Sequence, residues 1–436
     1  MGSIDQTVAS IIGESQVTPW EGLAEPLKSL VKRAIATDNL PSCVAFPETA
    51  EQLAEIVACA HQNRWRLLPC GRGSKLSWGN LLSGVDLVVS TQRLNRVVEH
   101  AVGDLTATVE AGVSFAKLQA DLRQTRQFLA LDPVYPEQAT LGGIVATRDT
   151  GALRQRYGGI RDMLIGIAFV RHDGQLVKAG GRVVKNVAGY DLMKLLTGSF
   201  GTLGILTQLT FRTYPTQETS KTVLLAGSAE AVEAITTEVR LSSLTPVAMD
   251  LLSSALLPSA NTAECGLAIQ FQSIEAGVTE QIERLQAIAN AHKLEGQVLT
   301  DKADTQFWPQ LNAQLFRTAE TPAPVIAKIG TVPASSVSLL GFLRSTLAPG
   351  TWQARIHASS GVGTVSLTAA ENTPAQLQKV RSHCQATGGY LTLLEAPADW
   401  KTGFESWALS PSVKQLMTRL REQFDPENCL SPGRFF

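Results

Sequence analysis

The six cysteines of this 436-residue chain, Cys43, Cys59, Cys70, Cys265, Cys384 and Cys429, lie far apart and form no C-x-x-C pair. Their spacing excludes a recognisable zinc module and the usual iron–sulfur patterns, and it suits a reducing compartment. A block of lysine and arginine is also missing: 38 basic residues face 39 acidic ones, for a formal charge of −1. Without a basic footprint, nucleic acid and anionic membrane surfaces are not expected partners, which leaves small molecules and other proteins. No apolar run reaches the ~20 residues of a spanning helix. The opening MGSIDQTVASII has no basic region ahead of an apolar core, and Gln6 stands where a myristoylation motif needs Ser or Thr. A soluble, cytoplasmic protein is the expectation. Charged residues make up 18%, below the roughly 25% of typical soluble domains; a large core and a broad protein interface would both account for that. Internal repeats and low-complexity stretches are absent, and the length calls for two or three domains.

What the chain has is glycine in ordered groups. The densest lies between Gly180 and Arg212, GGRVVKNVAGYDLMKLLTGSFGTLGILTQLTFR, where Lys185, Asn186 and Asp191 are the polar members. After Gly204 the pattern becomes a strand, with Ile205, Leu209 and Phe211 expected on one face. Such a loop can wall an anionic cofactor, because successive main-chain N–H groups converge on phosphate without side-chain bulk.

Residues 1–40, cut by Pro19 and Pro26, form an N-terminal helix-and-loop segment with no evident chemistry. From Val44 the pattern sharpens into strand, helix, strand: VAF, then a helix capped by Thr49 with Gln52 completing a capping box and Leu53, Ile56, Val57 and Ala60 on one face, then WRLL from Trp65. CGRGSKLSWGN follows. Leu76 stands where a dinucleotide fingerprint needs glycine, so the Rossmann motif fails. What remains is a loop in which Gly71, Gly73 and Ser74 offer N–H groups and Arg72 and Lys75 offer charge, enough for a diphosphate or, alternatively, an ordinary solvated turn. Ser114 opens a helix carrying Phe115, Leu118 and Leu122. Glycines then recur in YPEQATLGGIVAT and GALRQRYGGIRD, and LIGIAFV and QLVKAG form a hairpin about Asp173 and Gly174. Past Pro215, strands alternate with helices near Val232–Leu241, Ile282–Ala291 and Val337–Leu347, which suggests an α+β domain with an antiparallel sheet.

Six motifs in order, GRGSKLSWG, ATLGGIVAT, RYGGIRD, NVAGYDL, GSFGTLGI and SPGRFF, resemble the vanillyl-alcohol-oxidase superfamily of flavoproteins with PCMH-type FAD-binding domains. Within it, the Gly180–Gly204 stretch is most similar to the smaller of the FAD-binding subunits of bacterial glycolate oxidases. The resemblance implies an α+β chain: a PCMH-type FAD-binding domain over 41–215, an α+β cap domain over 216–398, and a C-terminal segment, 399–436, returning to the first domain. It implies that Gly71, Arg72, Gly73, Ser74, Lys75 and Leu76 cradle the diphosphate of FAD. Ala139, Thr140, Gly142, Gly143, Thr147 and Gly151 would line the diphosphate and the flavin ring, and Gly201, Gly204 and Ile205 would pass the adenosine half. Thr147 replaces the Asn of the family pattern, and Phe200 the Glu of the larger catalytic subunits, as the smaller one would have it. The first loop carries no His, so the resemblance implies non-covalent FAD, Cys70 being the one thiol in reach.

Oxidising a 2-hydroxy acid needs a base for the hydroxyl proton and a cation for the carboxylate. Catalytic relatives of this kind place paired histidines, often with a metal, in the second domain; here that pattern is missing and no metal is expected. Arg355 and His357 align on one strand face and are the candidate catalytic pair, though such a pair is more often structural. Three readings stay open. The first is a FAD-binding subunit of a glycolate oxidase complex, partnered by a second flavoprotein and an iron–sulfur protein and peripheral to a membrane through them. The others are a self-sufficient 2-hydroxy acid dehydrogenase and a scaffold without flavin.

Overall fold

The computed structural model describes residues 3–37, 39–182, 189–258, 263–317 and 324–435. Lys185 and Asn186 of the glycine-dense stretch lie outside the described residues. The chain divides into two compact units, one of residues 1–151, 158–216 and 409–436, the other of residues 152–157 and 217–408.

In the first unit, a four-stranded sheet runs in the order Val17–Pro19, Cys43–Ala45, Leu87–Ser90, Leu67–Cys70. Leu87–Ser90 pairs in parallel with both of its neighbours, so a helical crossover must link them. That crossover is Ala50–Asn63. Thr49 Oγ1 accepts the Gln52 N–H at 3.1 Å, while Gln52 Oε1 accepts from Glu48 N at 2.8 Å, one residue ahead of the expected reciprocal bond. Leu53, Ile56, Val57 and Ala60 are buried, as a 3.6-residue period requires. The N-terminal residues are part of this unit: Val8 and Ile12 sit in one core cluster with Cys43, Leu53 and Leu67.

Five antiparallel strands form the unit's other large sheet, ordered Val97–Ala101, Thr106–Glu110, Ile205–Arg212, Leu164–Val170, Leu176–Gly180. A register shift between Leu206 and Gln208 interrupts the central strand. Because a bulge breaks period-two alternation, Ile205 does not continue the face of Leu209 and Phe211 as expected; it joins the cluster of Leu67, Val89 and Val170. The tail closes the unit by main-chain bonding: Leu67 N donates to Cys429 O at 2.7 Å and Ser431 N to Leu67 O at 2.9 Å.

The second unit is built on eight antiparallel strands, in the order Gly296–Leu299, Thr219–Gly227, Cys265–Ser273, Ala248–Ser253, Trp352–His357, Val362–Leu367, Val325–Gly330, Tyr390–Glu395. Alternation gives the sheet two different faces. Val223, Leu251, Ile269, Ile356 and Val365 form one core cluster with side chains of helices Ala229–Leu241, Glu275–Ala291, Ser336–Thr346 and Pro374–Ala386. The other face carries Thr222, Gln270, Asp250, Arg355 and His357. Part of that polar face is capped by helix Asp301–Leu315, which no sequence pattern announces because Pro309 and the helix's polar residues blur the period. Asp304 accepts from Ser220 Oγ at 2.7 Å and from Thr222 Oγ1 at 2.5 Å, and Trp308 Nε1 donates to Thr222 Oγ1 at 3.0 Å. The chain re-enters the first unit at Leu409 rather than at 399. The reason is that Trp400 and Phe404 are committed to the second unit's core.

Candidate functional site

A cavity in the first unit lies at the end of strand Leu67–Cys70. It gathers Gly71, Arg72, Gly73, Ser74, Lys75 and Leu76 with Ala139, Thr140, Gly142, Gly143 and Thr147, and with Gly201, Gly204 and Ile205. Residues more than a hundred positions apart thus share one wall. Gly151 is not among them: a Cβ there would meet the Asp132 carboxylate at 2.2 Å, so this glycine serves packing against Asp132.

The loop is held from several sides. Ser90 Oγ donates to Gly71 O at 2.8 Å and Thr91 Oγ1 to Cys70 O at 3.2 Å. Thr140 caps the short helix Leu141–Thr147 by accepting from Gly143 N at 3.2 Å. Gly71 is required because of that cap, since a Cβ at position 71 would stand 2.1 Å from Thr140 Oγ1. Gly73 has φ +83°, a conformation that side chains larger than hydrogen resist.

Lys75 corrects an expectation. Its ammonium is buried and bonded to Asp149 Oδ2 at 2.5 Å, and the same Asp149 oxygen accepts from Val134 N at 2.9 Å. A buried cation needs a partner to offset its desolvation, and Asp149 supplies it, so Lys75 ties the loop to the segment behind it rather than presenting charge to the cavity. Arg72 is exposed. Sequence reasoning missed Asp149, and it missed Arg434, a buried wall residue carried by SPGRFF. Phe200, also in the wall, meets Phe435 edge-on with centroids 5.7 Å apart. Cys70 lines the cavity too, and burial pushes its thiol up to about 12.

The cavity fits FAD. Its wall is lined by Gly71, Gly73, Gly142, Gly143, Gly201 and Gly204, and main chain so nearly free of side-chain bulk lets an anion such as a diphosphate approach closely. Residues 41–180 match the FAD binding domain family. The chain is an FAD-dependent oxidoreductase. Over 420 residues this oxidoreductase is 25% identical to glycolate oxidase subunit GlcD of Bacillus subtilis (strain 168), covering 91% of the chain and 89% of that protein. It is 34% identical over 155 residues to glycolate oxidase subunit GlcE of Escherichia coli (strain K12), covering 35% of the chain and 44% of the relative. It is 30% identical over 221 residues to the mitochondrial cytochrome-type D-lactate dehydrogenase of Arabidopsis thaliana, covering 47% and 38%. Among solved structures, p-cresol methylhydroxylase superposes with a TM-score of 0.79 over 99% of the chain and 96% of that structure at 15% identity. The oxidoreductase therefore has the PCMH-type FAD-binding fold in an α+β chain.

The candidate catalytic pair lies in the second unit. Asp250, on the neighbouring strand, stands directly opposite His357. His357 Nδ1 and Asp250 Oδ1 are 2.7 Å apart, and Arg355 Nε approaches Asp250 Oδ2 at 3.5 Å. The first contact is a hydrogen bond. The second is an ion pair only, for Asp250 Oδ2 and Arg355 Nη1 have no hydrogen-bond partner among the described residues. All three side chains are buried, Asp250 completely. Burial alone would raise the Asp250 carboxyl, but His357 and then Arg355 outweigh it and hold the group below the usual carboxylate range. An ionised Asp250 can only accept, so it fixes the proton on Nδ1 of His357 and leaves Nε2 as the basic nitrogen. Asp250 could have been placed on the polar face by alternation in AMDLLS, but no local signal names its partner. Among the described residues, no group of three His, Cys, Asp or Glu side chains could hold a metal, and no helix is long and apolar enough to cross a membrane.

Proposed function

We propose that this oxidoreductase converts a small 2-hydroxy acid of the glycolate or D-lactate class to the 2-oxo acid. FAD would lie with its diphosphate against Gly71–Leu76, its ring along Ala139, Thr140, Gly142, Gly143 and Thr147, and its adenosine toward Gly201, Gly204 and Ile205. When bound, FAD supplies the hydride acceptor. The observation that carries the substrate class is the orphaned, buried donor of Arg355 beside the Asp250–His357 pair. A buried guanidinium N–H without an acceptor is costly, and a substrate carboxylate would satisfy it. His357 Nε2 then takes the hydroxyl proton, and Asp250 stabilises the resulting imidazolium. The glycolate oxidase and D-lactate dehydrogenase relatives support this class.

The chain works as the FAD-binding subunit of a glycolate oxidase-type complex, beside a second flavoprotein and an iron–sulfur protein, cytoplasmic and reaching a membrane only through them. Two glycolate oxidase subunits among its relatives and the lack of cluster-type cysteine spacing support this. A second reading, a dehydrogenase sufficient by itself, is favoured by the Arg355–His357–Asp250 cluster. The test is an anaerobic spectrum of the FAD-loaded chain before and after glycolate or D-lactate. Bleaching of the isolated chain, lost in Arg355→Met, supports self-sufficiency. Bleaching only with the partner subunits supports the complex, and none under either condition sinks the proposal.

A further inference from the structure

The cavity wall contains three arginine or lysine side chains, Arg72, Lys75 and Arg434, and the fold treats each differently. Arg72 is exposed and Lys75 is bonded to Asp149. Arg434 is 3% exposed, and its Nη1 donates to Trp78 O at 2.7 Å and Asn80 O at 3.0 Å. Arginine presents its donors as a rigid fork, so two carbonyl bonds from one nitrogen orient the guanidinium as well as hold it.

The tail that delivers Arg434 is sewn to both ends of the loop. On the entry side are the two main-chain bonds at Leu67; on the exit side, Ser83 N donates to Pro432 O at 2.9 Å and Asn80 Nδ2 to Phe435 O at 3.0 Å. Burial lowers Arg434 to about 10, which still leaves it a cation at neutral pH. A fixed positive charge thus lines the cavity beside a loop built to receive an anion.

We propose that Arg434 is a cofactor-binding residue, a buried cation brought from the far end of the chain to pair with the diphosphate of FAD at Gly71–Leu76. Cofactor retention is then coupled to docking of the last residues. Full-length wild type, Arg434→Lys, Arg434→Gln and Arg434→Met are stripped of flavin and titrated with FAD at low and high salt, and the unfolding midpoint of each apo-protein is recorded. Loss of a charge-assisted hydrogen bond predicts FAD binding weaker by roughly 10- to 150-fold in the Gln and Met variants. The Lys variant should stay within about 5-fold of wild type, and the salt dependence of binding should shrink when the charge is gone. Arg434→Lys keeps the charge and Arg434→Gln keeps a polar side chain without it, so comparing the two isolates the charge even if the Met variant does not fold. Wild-type affinity in the Gln variant, or equal loss in the Lys and Gln variants, overturns the proposal. A wild-type apo-protein that takes up no FAD sinks the cofactor assignment itself, a distinct result.

Discussion

Gly71→Ala tests how the cavity wall is assembled. Position 71 does not have a positive φ, so alanine is allowed by the backbone and any cost is steric. The added Cβ would lie 2.1 Å from Thr140 Oγ1, 2.8 Å from Cγ2 and 3.0 Å from Cβ. At those distances Thr140 must rotate away, breaking its cap on Gly143. Loss of an N-cap costs about 1 kcal/mol, and overpacking adds about 1–3 kcal/mol, so Gly71→Ala should destabilise the FAD-free protein by roughly 2–4 kcal/mol. Thr140→Ala alone should cost about 1 kcal/mol. In the double variant the two deepest overlaps are gone, and the sum of the single effects should exceed the measured effect by about 1–2 kcal/mol. Denaturant unfolding of the four proteins measures this cycle, and FAD titration should show the same partial rescue, because Gly71, Thr140 and Gly143 share the cavity wall. Strict additivity, or a Gly71→Ala cost near zero, would refute the interlocked loops.

Gly73→Val places a β-branched residue at φ +83° with Leu30 Cδ1 3.3 Å from its Cβ. Strain of about 1–3 kcal/mol follows, and the purified variant should lack flavin absorbance; full retention would remove this loop from the cofactor site. Asp250 carries a pH prediction. Its folded carboxyl titrates below its unfolded value, so the stability it contributes is complete at neutral pH and is lost as pH falls through the folded value, below about 4. Asp250→Asn should flatten that acid limb of the thermal midpoint, and an unchanged limb would contradict an ionised, paired Asp250.

The helix from Ala50, its Thr49 cap and its buried stripe were legible because each signal is local, within one or two turns. The cavity wall was legible as composition: glycines grouped at 71–73, 142–143 and 201–204 have little use except where backbone must come close, and the fold brings them to one cavity. The helix over Asp301–Leu315 was not, since its packing is fixed by Asp304 and Trp308 against a strand about eighty residues earlier.

By itself, then, the sequence determined which segments are helix or strand where a cap or a strict period marks them, and which loops must be nearly free of side chains. Only tertiary structure decided which partner each charge meets. Lys75 and Arg434 look alike as isolated basic residues, yet one meets Asp149, 74 positions away, and the other is bonded to a loop 356 positions away. Likewise Asp250 meets His357 across 107 residues. An ion pair has no period and no spacing rule. Its partners are chosen by how sheets and tails close.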